Sequence, residues 1–330
     1  MNQEIPLIDI EPFLTGSTHD KKKVAFQVAQ ACESIGFFGL GGHGIPENTL
    51  NEVMEVSKEF FDLPLDEKMK VAAPAESVRG YLKFATGSAS YSLDQVAPLD
   101  QREAFEISSF NYTDDEYYTC PAARYFFVPN PWPQRPVRFR QVLTDYYLIM
   151  EEFAAVVMRI FALGLELPEH FFEDKIDKHV SNLGVFNYPE QLNNSIPGQL
   201  RLGAHTDYGS FSLLYQDDAG GLQVLNEDGT WIDVKSVPGT FVVNIGDLMA
   251  RWTNDRWKST LHRVVNPPFD VATSSRRQSV GFFHHPNYDT LVTCLECCCS
   301  ADNPPKYEPI TCGENVYTKL QKQMRMSSNI

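Results

Sequence analysis

Residues 203–209 read Gly-Ala-His-Thr-Asp-Tyr-Gly, so His205 and Asp207 stand two positions apart. On an extended chain, side chains two positions apart leave on the same face. An imidazole and a carboxylate that point the same way can hold one divalent metal ion. His262, in another strand-like run, offers a third ligand. Two histidines and one carboxylate on one side of a metal leave the opposite positions open, which is the arrangement associated with non-haem Fe(II) that binds O2.

The sequence around this pair is rich in short β-type runs. From Val180 onwards, β-branched and aromatic residues form several runs that are separated by turn residues. This pattern is typical of a sandwich or barrel, and a double-sheet jelly roll of about eight strands fits it. The three candidate ligands fall on or beside these runs, so we expect the metal at the mouth of a jelly roll. The predicted strands are 180–188, 210–216, 221–225, 230–234, 240–245, 259–265 and 276–283.

The N-terminal half mixes helices and strands. Apolar residues three and four positions apart predict amphipathic helices, and Pro136 suits the first turn of a long central helix. Residues 72–100 are rich in Gly, Ser, Ala and Pro, which favours a lid or substrate loop. We therefore predict an α+β fold with a mainly β core, N-terminal helices and a long central helix. The predicted helices are 21–34, 47–61, 136–165 and 313–326, and the predicted strands are 37–40 and 102–107.

Composition narrows the choice of partner. The chain has 330 residues, 43% of them hydrophobic, and a net charge of −15. A large acidic excess disfavours nucleic acid and anionic membrane surfaces, because both reward clustered Lys and Arg. No apolar stretch approaches the ~20 residues of a membrane span, and the N-terminus lacks a basic segment followed by an apolar run. We expect a cytoplasmic protein with a small-molecule substrate.

The seven cysteines do not predict a disulfide framework in a long chain without a secretory signal. Four of them cluster between Cys294 and Cys299, a spacing that thiolate metal sites use. A second cysteine pair at zinc-ribbon distance is missing from the sequence. We therefore expect buried or solvent-edge thiols, and the role of the cluster stays open.

Several motifs in a fixed order resemble the Fe(II)- and 2-oxoglutarate-dependent dioxygenase superfamily, in its isopenicillin N synthase-like branch. The resemblance covers nearly the whole chain, including the N-terminal region. Its motifs are Ile5-Pro-Leu-Ile-Asp9, Gly36-Phe-Phe-Gly-Leu-Gly-Gly-His-Gly-Ile45, His205-Thr-Asp207, Asn244-Ile-Gly-Asp247, His262-Arg-Val264 and Arg277-Gln-Ser279.

The resemblance implies a double-stranded β-helix in which His205, Asp207 and His262 bind Fe(II). Arg277 and Ser279 lie two positions apart on one predicted strand and can together grip a carboxylate. In relatives this pair holds the distal carboxylate of 2-oxoglutarate. Further cosubstrate contacts are expected from Tyr188 and, more weakly, from Asn244.

The implied reaction consumes O2 and decarboxylates 2-oxoglutarate to succinate and CO2, coupled to hydroxylation, desaturation or ring closure of a small organic metabolite. Two alternatives remain open from the sequence. One is an iron oxidase that uses O2 without 2-oxoglutarate, and the other is a non-catalytic jelly roll that binds a metal or small molecule. We expect one compact domain over residues 1–330, with an N-terminal region at 1–115 and the catalytic core at 180–290.

Candidate substrate contacts are less specific. Arg79 and Tyr81 lie in the predicted loop, and His284 follows the carboxylate-binding motif closely; for each, packing or solvation is the alternative. Many relatives carry Arg and Asn where this chain has Gly184 and Phe186, so substrate contacts that depend on those two side chains are not available here.

Overall fold

Two facing β-sheets form the centre of the computed structural model, which describes residues 4–74, 77–190, 196–267 and 275–328. The strands are β1 (Leu7–Asp9), β2 (Phe37–Gly41), β3 (Gly80–Leu82), β4 (Glu103–Ser108), β5 (Asn182–Tyr188), β6 (Leu202–His205), β7 (Phe211–Gln216), β8 (Leu222–Leu225), β9 (Trp231–Asp233), β10 (Phe241–Ile245), β11 (His262–Val264), β12 (Arg277–His284), β13 (Leu291–Val292) and β14 (Ile310–Thr311). The major sheet has the order β1-β2-β10-β7-β12-β5-β4-β3, and the minor sheet has the order β6-β11-β8-β9. Strands β13 and β14 pair separately.

Helices pack around the two sheets, and several of them cover the outer face of the major sheet. They are α1 (Glu11–Thr15), α2 (Thr18–Ser34), α3 (Glu47–Phe61), α4 (Leu65–Met69), α5 (Glu116–Thr119), α6 (Phe139–Gly164), α7 (Glu173–Ile176), α8 (Asp247–Trp252) and α9 (Cys312–Ser328). The side chain of Ser17 caps α2 in a reciprocal capping box with Asp20, which satisfies backbone N–H groups at the helix start. Helix α6 packs against both α2 and α3. Among the described helices, none is both long and apolar enough to cross a membrane.

The central strands of the major sheet are buried on both faces, and their period of two divides the apolar residues between two clusters. Along β10, Val243 belongs to the cluster under the helices, whereas Val242 belongs to the cluster between the sheets. Strand β12 follows the same rule, with Phe282 on the helix side and Phe283 against the inner cluster. Successive side chains of a strand point to opposite faces, so the inner face of each strand is available to line a site.

The predicted fold class is confirmed: the core is a jelly roll flanked by N-terminal helices and a long central helix. The loop predicted over residues 72–100 is only partly irregular, because it contains β3, which pairs antiparallel with β4. A strand of three residues that begins at Gly80 is too short to show a period in the sequence. Residues 75–76 of this segment lie outside the described part of the chain.

Gly36 permits the tight connection between α2 and β2. Its φ is +68°, and a Cβ atom there would lie 1.9 Å from the carbonyl oxygen of Lys258. Gly44 has a similar φ of +74° but open space around the Cβ position. The two glycines therefore separate the cost of the left-handed backbone from the cost of a steric clash.

We predict that Gly44→Ala lowers the free energy of unfolding by about 1–2 kcal/mol, the cost of a left-handed alanine. Gly36→Ala should lower it by about 2–5 kcal/mol, because overpacking against a backbone carbonyl adds to the same cost. Urea unfolding monitored by circular dichroism measures both values. Equal losses for the two variants would contradict a clash at Gly36.

Candidate active site

The three candidate metal ligands converge at one end of the space between the sheets. Strand β6 pairs antiparallel with β11, and the register sets His205 directly opposite His262, with ring centroids 4.2 Å apart. The sequence predicts Asp207 on the same strand as His205, but β6 ends at His205. Asp207 lies in the segment that follows, where its carbonyl oxygen accepts a hydrogen bond from the backbone N–H of Asp247 at 2.8 Å. One strand pair and one turn thus bring the three side chains together.

The donor atoms of these side chains are free and close together. The Nε2 atoms of His205 and His262 each lie 3.8 Å from Oδ1 of Asp207. The Nδ1 atoms contact backbone carbonyl oxygens, His205 at 2.8 Å and His262 at 3.1 Å. Because a carbonyl oxygen only accepts, each Nδ1 carries the proton and each Nε2 keeps its lone pair. Two imidazole nitrogens and one carboxylate oxygen within 4.8 Å of one another fit Fe(II).

The carboxylate of Asp207 is oriented by its second oxygen. Oδ2 accepts hydrogen bonds from the hydroxyl of Ser212 and from Nδ2 of Asn244, the latter at 2.7 Å. Burial acts to raise the pKa of Asp207, but the neighbouring histidines and these two hydrogen bonds outweigh it, so the pKa is lowered. Burial, followed by the effect of His262, lowers the pKa of His205 to about 3. At neutral pH the cluster is therefore a carboxylate beside a neutral imidazole ligand, as a divalent metal requires.

Arg277 lies on the inner face of the major sheet and is only 1% exposed. Its Nη1 donates to the Ser279 hydroxyl at 3.2 Å, its Nη2 donates to Oε1 of Gln216 at 2.7 Å, and its Nε has no partner among the described residues. The guanidinium lies 4.7 Å from the ring centroid of Tyr188, its cross-strand partner. A buried guanidinium without a carboxylate to pair with is costly, so this end of the site is suited to an anionic ligand.

The inner face of the sheets encloses a cavity of about 650 Å³ that contains the three metal-ligand candidates. The four residues predicted to contact the cosubstrate also line it: Arg277, Ser279, Tyr188 and Asn244. The side-chain amide of Asn244 donates a hydrogen bond to Asp207. Its observed contact is therefore with a metal-ligand candidate. Helix α9 supplies Val316 and Leu320 to the cavity wall.

The three predicted substrate contacts differ in position. Arg79 and Tyr81 reach the cavity wall, but both are already engaged in the protein: Arg79 donates to the hydroxyl of Ser108 and to two backbone carbonyls, and the Tyr81 hydroxyl donates to Glu103. The position of His284 does not fit the predicted substrate contact. It stacks on Phe211 on the helix side of β12 and does not line the cavity.

His285 lines the cavity in place of His284. Every second residue from Arg277 onward shares the inner face of β12, and position 285, just after the strand, continues this series. The alternation therefore predicts His285, and not His284, at the cavity. Glu106 is a further cavity residue that the sequence predictions do not include, and it lies on β4 with its side chain toward the cavity. The signal was an acidic residue within an apolar alternating run, on the same face as Arg102.

The cysteines between Cys294 and Cys299 are all free thiols. The Sγ atoms of Cys297 and Cys298 lie 3.8 Å apart, and burial raises the pKa of Cys298 to about 12. Within the described ranges, the group of His205, Asp207 and His262 is the only cluster of three or more side chains positioned for a metal ion.

Comparison with known proteins agrees with this geometry. Residues 5–135 match the model of the N-terminal region of non-haem dioxygenases in morphine synthesis, and residues 180–286 match that of the 2OG-Fe(II) oxygenase superfamily. The 2-oxoglutarate-Fe(II) type oxidoreductase hxnY of Emericella nidulans is 37% identical, over 94% of this chain and 88% of that protein. The homoarginine-6-hydroxylase 2-ODD-233 of rice is 35% identical, over 96% of both chains.

Among solved structures, a full-length Neurospora crassa protein in complex with alpha-KG and thymine superposes with a TM-score of 0.83, at 32% identity over 96% of both chains. The chain therefore belongs to the 2OG-Fe(II) oxygenase superfamily. It is an oxidoreductase, a dioxygenase that uses Fe(II), 2-oxoglutarate and O2 on a small metabolite, as the sequence predicts.

We predict that Asn244→Ala weakens Fe(II) binding by about 10–100-fold, because it frees the Asp207 carboxylate to rotate. Anaerobic titration with Fe(II) measures the dissociation constant. Asn51→Ala, at an exposed position of α3, is the matched control and should leave it unchanged. Wild-type affinity in the Asn244 variant would show that the hydrogen bond does not orient the ligand.

Proposed function

We propose that His205, Asp207 and His262 bind the iron of this dioxygenase through Nε2, Oδ1 and Nε2. This assignment rests on the convergence of three free ligand atoms. The other polar atom of each of these side chains is held by a hydrogen bond. Bound Fe(II) supplies the activation of O2 that the protein side chains cannot perform. The protein contributes the fixed tautomers, the oriented carboxylate and the enclosed cavity.

Arg277 and Ser279 bind the distal carboxylate of 2-oxoglutarate in this proposal. Support comes from the buried guanidinium whose Nε lacks a partner among the described residues, and from the hydroxyl two positions along on the same face. Tyr188 packs under the guanidinium and fixes its plane. The pair lies in the same cavity as the metal-ligand candidates, as a cosubstrate that binds both requires.

The substrate we propose is a small nitrogen-containing metabolite. The rice relative is named for homoarginine, and the Neurospora crassa protein was crystallised with thymine. Both compounds are compact and polar, and a cavity of about 650 Å³ that also admits 2-oxoglutarate suits molecules of that size. A cytoplasmic location, a role in specialised metabolism and the absence of nucleic-acid and membrane partners stay predictions.

An assay of succinate formation tests the proposed function. The purified protein, supplied with Fe(II), 2-oxoglutarate and O2, is screened with basic amino acids and with nucleobases. We expect at least one compound to be consumed in proportion to the succinate formed. Succinate formation that no compound of either class stimulates would contradict the proposed substrate class.

We predict that Arg277→Gln raises the KM for 2-oxoglutarate by about 30-fold or more, because losing one partner of a buried charge pair costs about 2–5 kcal/mol. The adjacent Arg276→Gln is the control, since Arg276 binds Asn187 and Asp62 instead. Its KM should stay within about twofold of the wild-type value, because the side chain contacts neither cavity nor cosubstrate. Steady-state kinetics with varied 2-oxoglutarate measure both, and equal effects would contradict the assignment.

A further inference from the structure

Two charged side chains of the cavity wall belong neither to the proposed metal ligands nor to the proposed cosubstrate contacts. Arg102 immediately precedes β4 and Glu106 lies within it. Residues four apart on a strand share one face, with Cα atoms about 13 Å apart. Both side chains line the cavity.

Arg102 makes no hydrogen bond or ion pair with a described side chain. Its guanidinium lies 4.7 Å from the ring centroid of Phe186, and Phe186 meets Phe283 edge to face, with centroids 6.0 Å apart. A cation stacked on an aromatic ring keeps its N–H donors available at its edge. These donors suit a carboxylate of a bound molecule.

Glu106 stands in a row of glycines. The register places it opposite Gly80 on β3 and Gly184 on β5, and Gly281 on β12 continues the row. No side chain of these cross-strand neighbours can therefore cover the carboxylate. One oxygen accepts a hydrogen bond from Nδ2 of Asn182 at 3.0 Å, which leaves further acceptor capacity toward the cavity.

Other charged groups of the same wall are satisfied by the protein itself. Asp100 accepts hydrogen bonds from the Ser88 hydroxyl and from the backbone N–H groups of Ala89 and Gly203. Arg79 has three protein acceptors. Burial raises the pKa of Glu106 to about 7, although Arg102 and Arg79 oppose this. A carboxyl group in this state gains most from a ligand that brings its own positive charge.

We propose that Glu106 binds a basic nitrogen of the substrate while Arg102 binds its carboxylate, so that the substrate is a small zwitterion with an amine or guanidine side chain. The inference rests on the proposed function and narrows its substrate class. Carbon atoms between the two charged ends would then pass along the aromatic wall of Phe186 and Phe283. Glu106 is the residue that selects for charge at the far end.

Matched ligand pairs test this selection. Homoarginine carries a charged guanidine where homocitrulline carries an uncharged urea of nearly the same shape. Arginine and citrulline form a second pair of this kind. Dissociation constants are measured by anaerobic calorimetry on protein loaded with Fe(II) and 2-oxoglutarate, which excludes turnover. We expect at least one charged member to bind wild type at least tenfold more tightly than its isostere.

Glu106→Gln preserves shape and removes the charge, and should abolish that preference. Arg102→Gln should weaken both members of a pair, because both carry the carboxylate that Arg102 binds. Glu116→Gln, at an exposed position, is the control and should match wild type. Failure of every basic probe to bind wild type, or equal weakening of charged and uncharged probes in Glu106→Gln, would overturn the proposal.

The pH dependence gives a second readout. Below about pH 7 Glu106 becomes protonated and loses its attraction for a cation, so charged probes should bind about tenfold more weakly at pH 6 than at pH 8. The groups that face Glu106 are Arg102 just before β4, Arg79 before β3, Tyr125, and Asn182 on β5, which in turn contacts His285. Glu106→Gln removes the dependence if Glu106 is its source, and a dependence that persists in this variant counts against the proposal.

Succinate formation by wild type separates the two levels of inference. If wild type forms succinate in proportion to the loss of a tested compound but no ligand pair shows a preference for charge, the proposed function stands and the role of Glu106 fails. If wild type forms no succinate yet binds the charged probes selectively, the proposed function fails and the role of Glu106 remains.

Discussion

The pairing of β6 with β11 is the constraint on which the site depends, because it sets two imidazoles from distant parts of the chain opposite each other. A backbone carbonyl two residues before each histidine then fixes the tautomer. Neither device involves long flexible side chains, so little conformational entropy is lost when a metal binds. Asp207 is the exception, since it lies beyond the strand and relies on Ser212 and Asn244 for its orientation.

Buried charge has a cost that the fold accepts at two places. Arg277 is fully buried with one N–H donor unpartnered among the described residues, and the partly buried Glu106 accepts a hydrogen bond from only one described side chain. Replacing even a buried ion pair with apolar residues of similar volume is often neutral or stabilising, so buried charges are weak evidence for stability. The contrast with Lys68 and Glu103 is informative, because that buried pair is closed by a 2.8 Å ion pair and offers nothing to a ligand. Unmatched buried charge therefore marks where ligands belong.

Much of the architecture followed from the period of two, since the predicted strands match observed ones to within a few residues. The strand of Arg277 and Ser279 was predicted almost to its ends, and both side chains share the inner face. The same rule, applied eight residues beyond Arg277, predicts that His285 and not His284 faces the cavity. His284 was predicted only because it lies close to the motif along the chain, and the strand alternation already argued against it. Glu106 is a different case. Its significance depends on Gly80, Gly184 and Gly281 becoming its neighbours, and that register is not visible in a single sequence.

Strand β12 orders the whole site along one face. Arg277 and Ser279 occupy the cosubstrate end, Gly281 leaves room for the rings of Phe283 and Phe186, and His285 closes the far end. Five alternating positions span about 27 Å at strand spacing. Because a rigid central strand carries both ends, the distance between the cosubstrate carboxylate and the substrate wall is set by backbone hydrogen bonds to β5 and β7. Substrate preference can therefore change through single inward side chains, as at Gly184 and Phe186, without disturbing the iron.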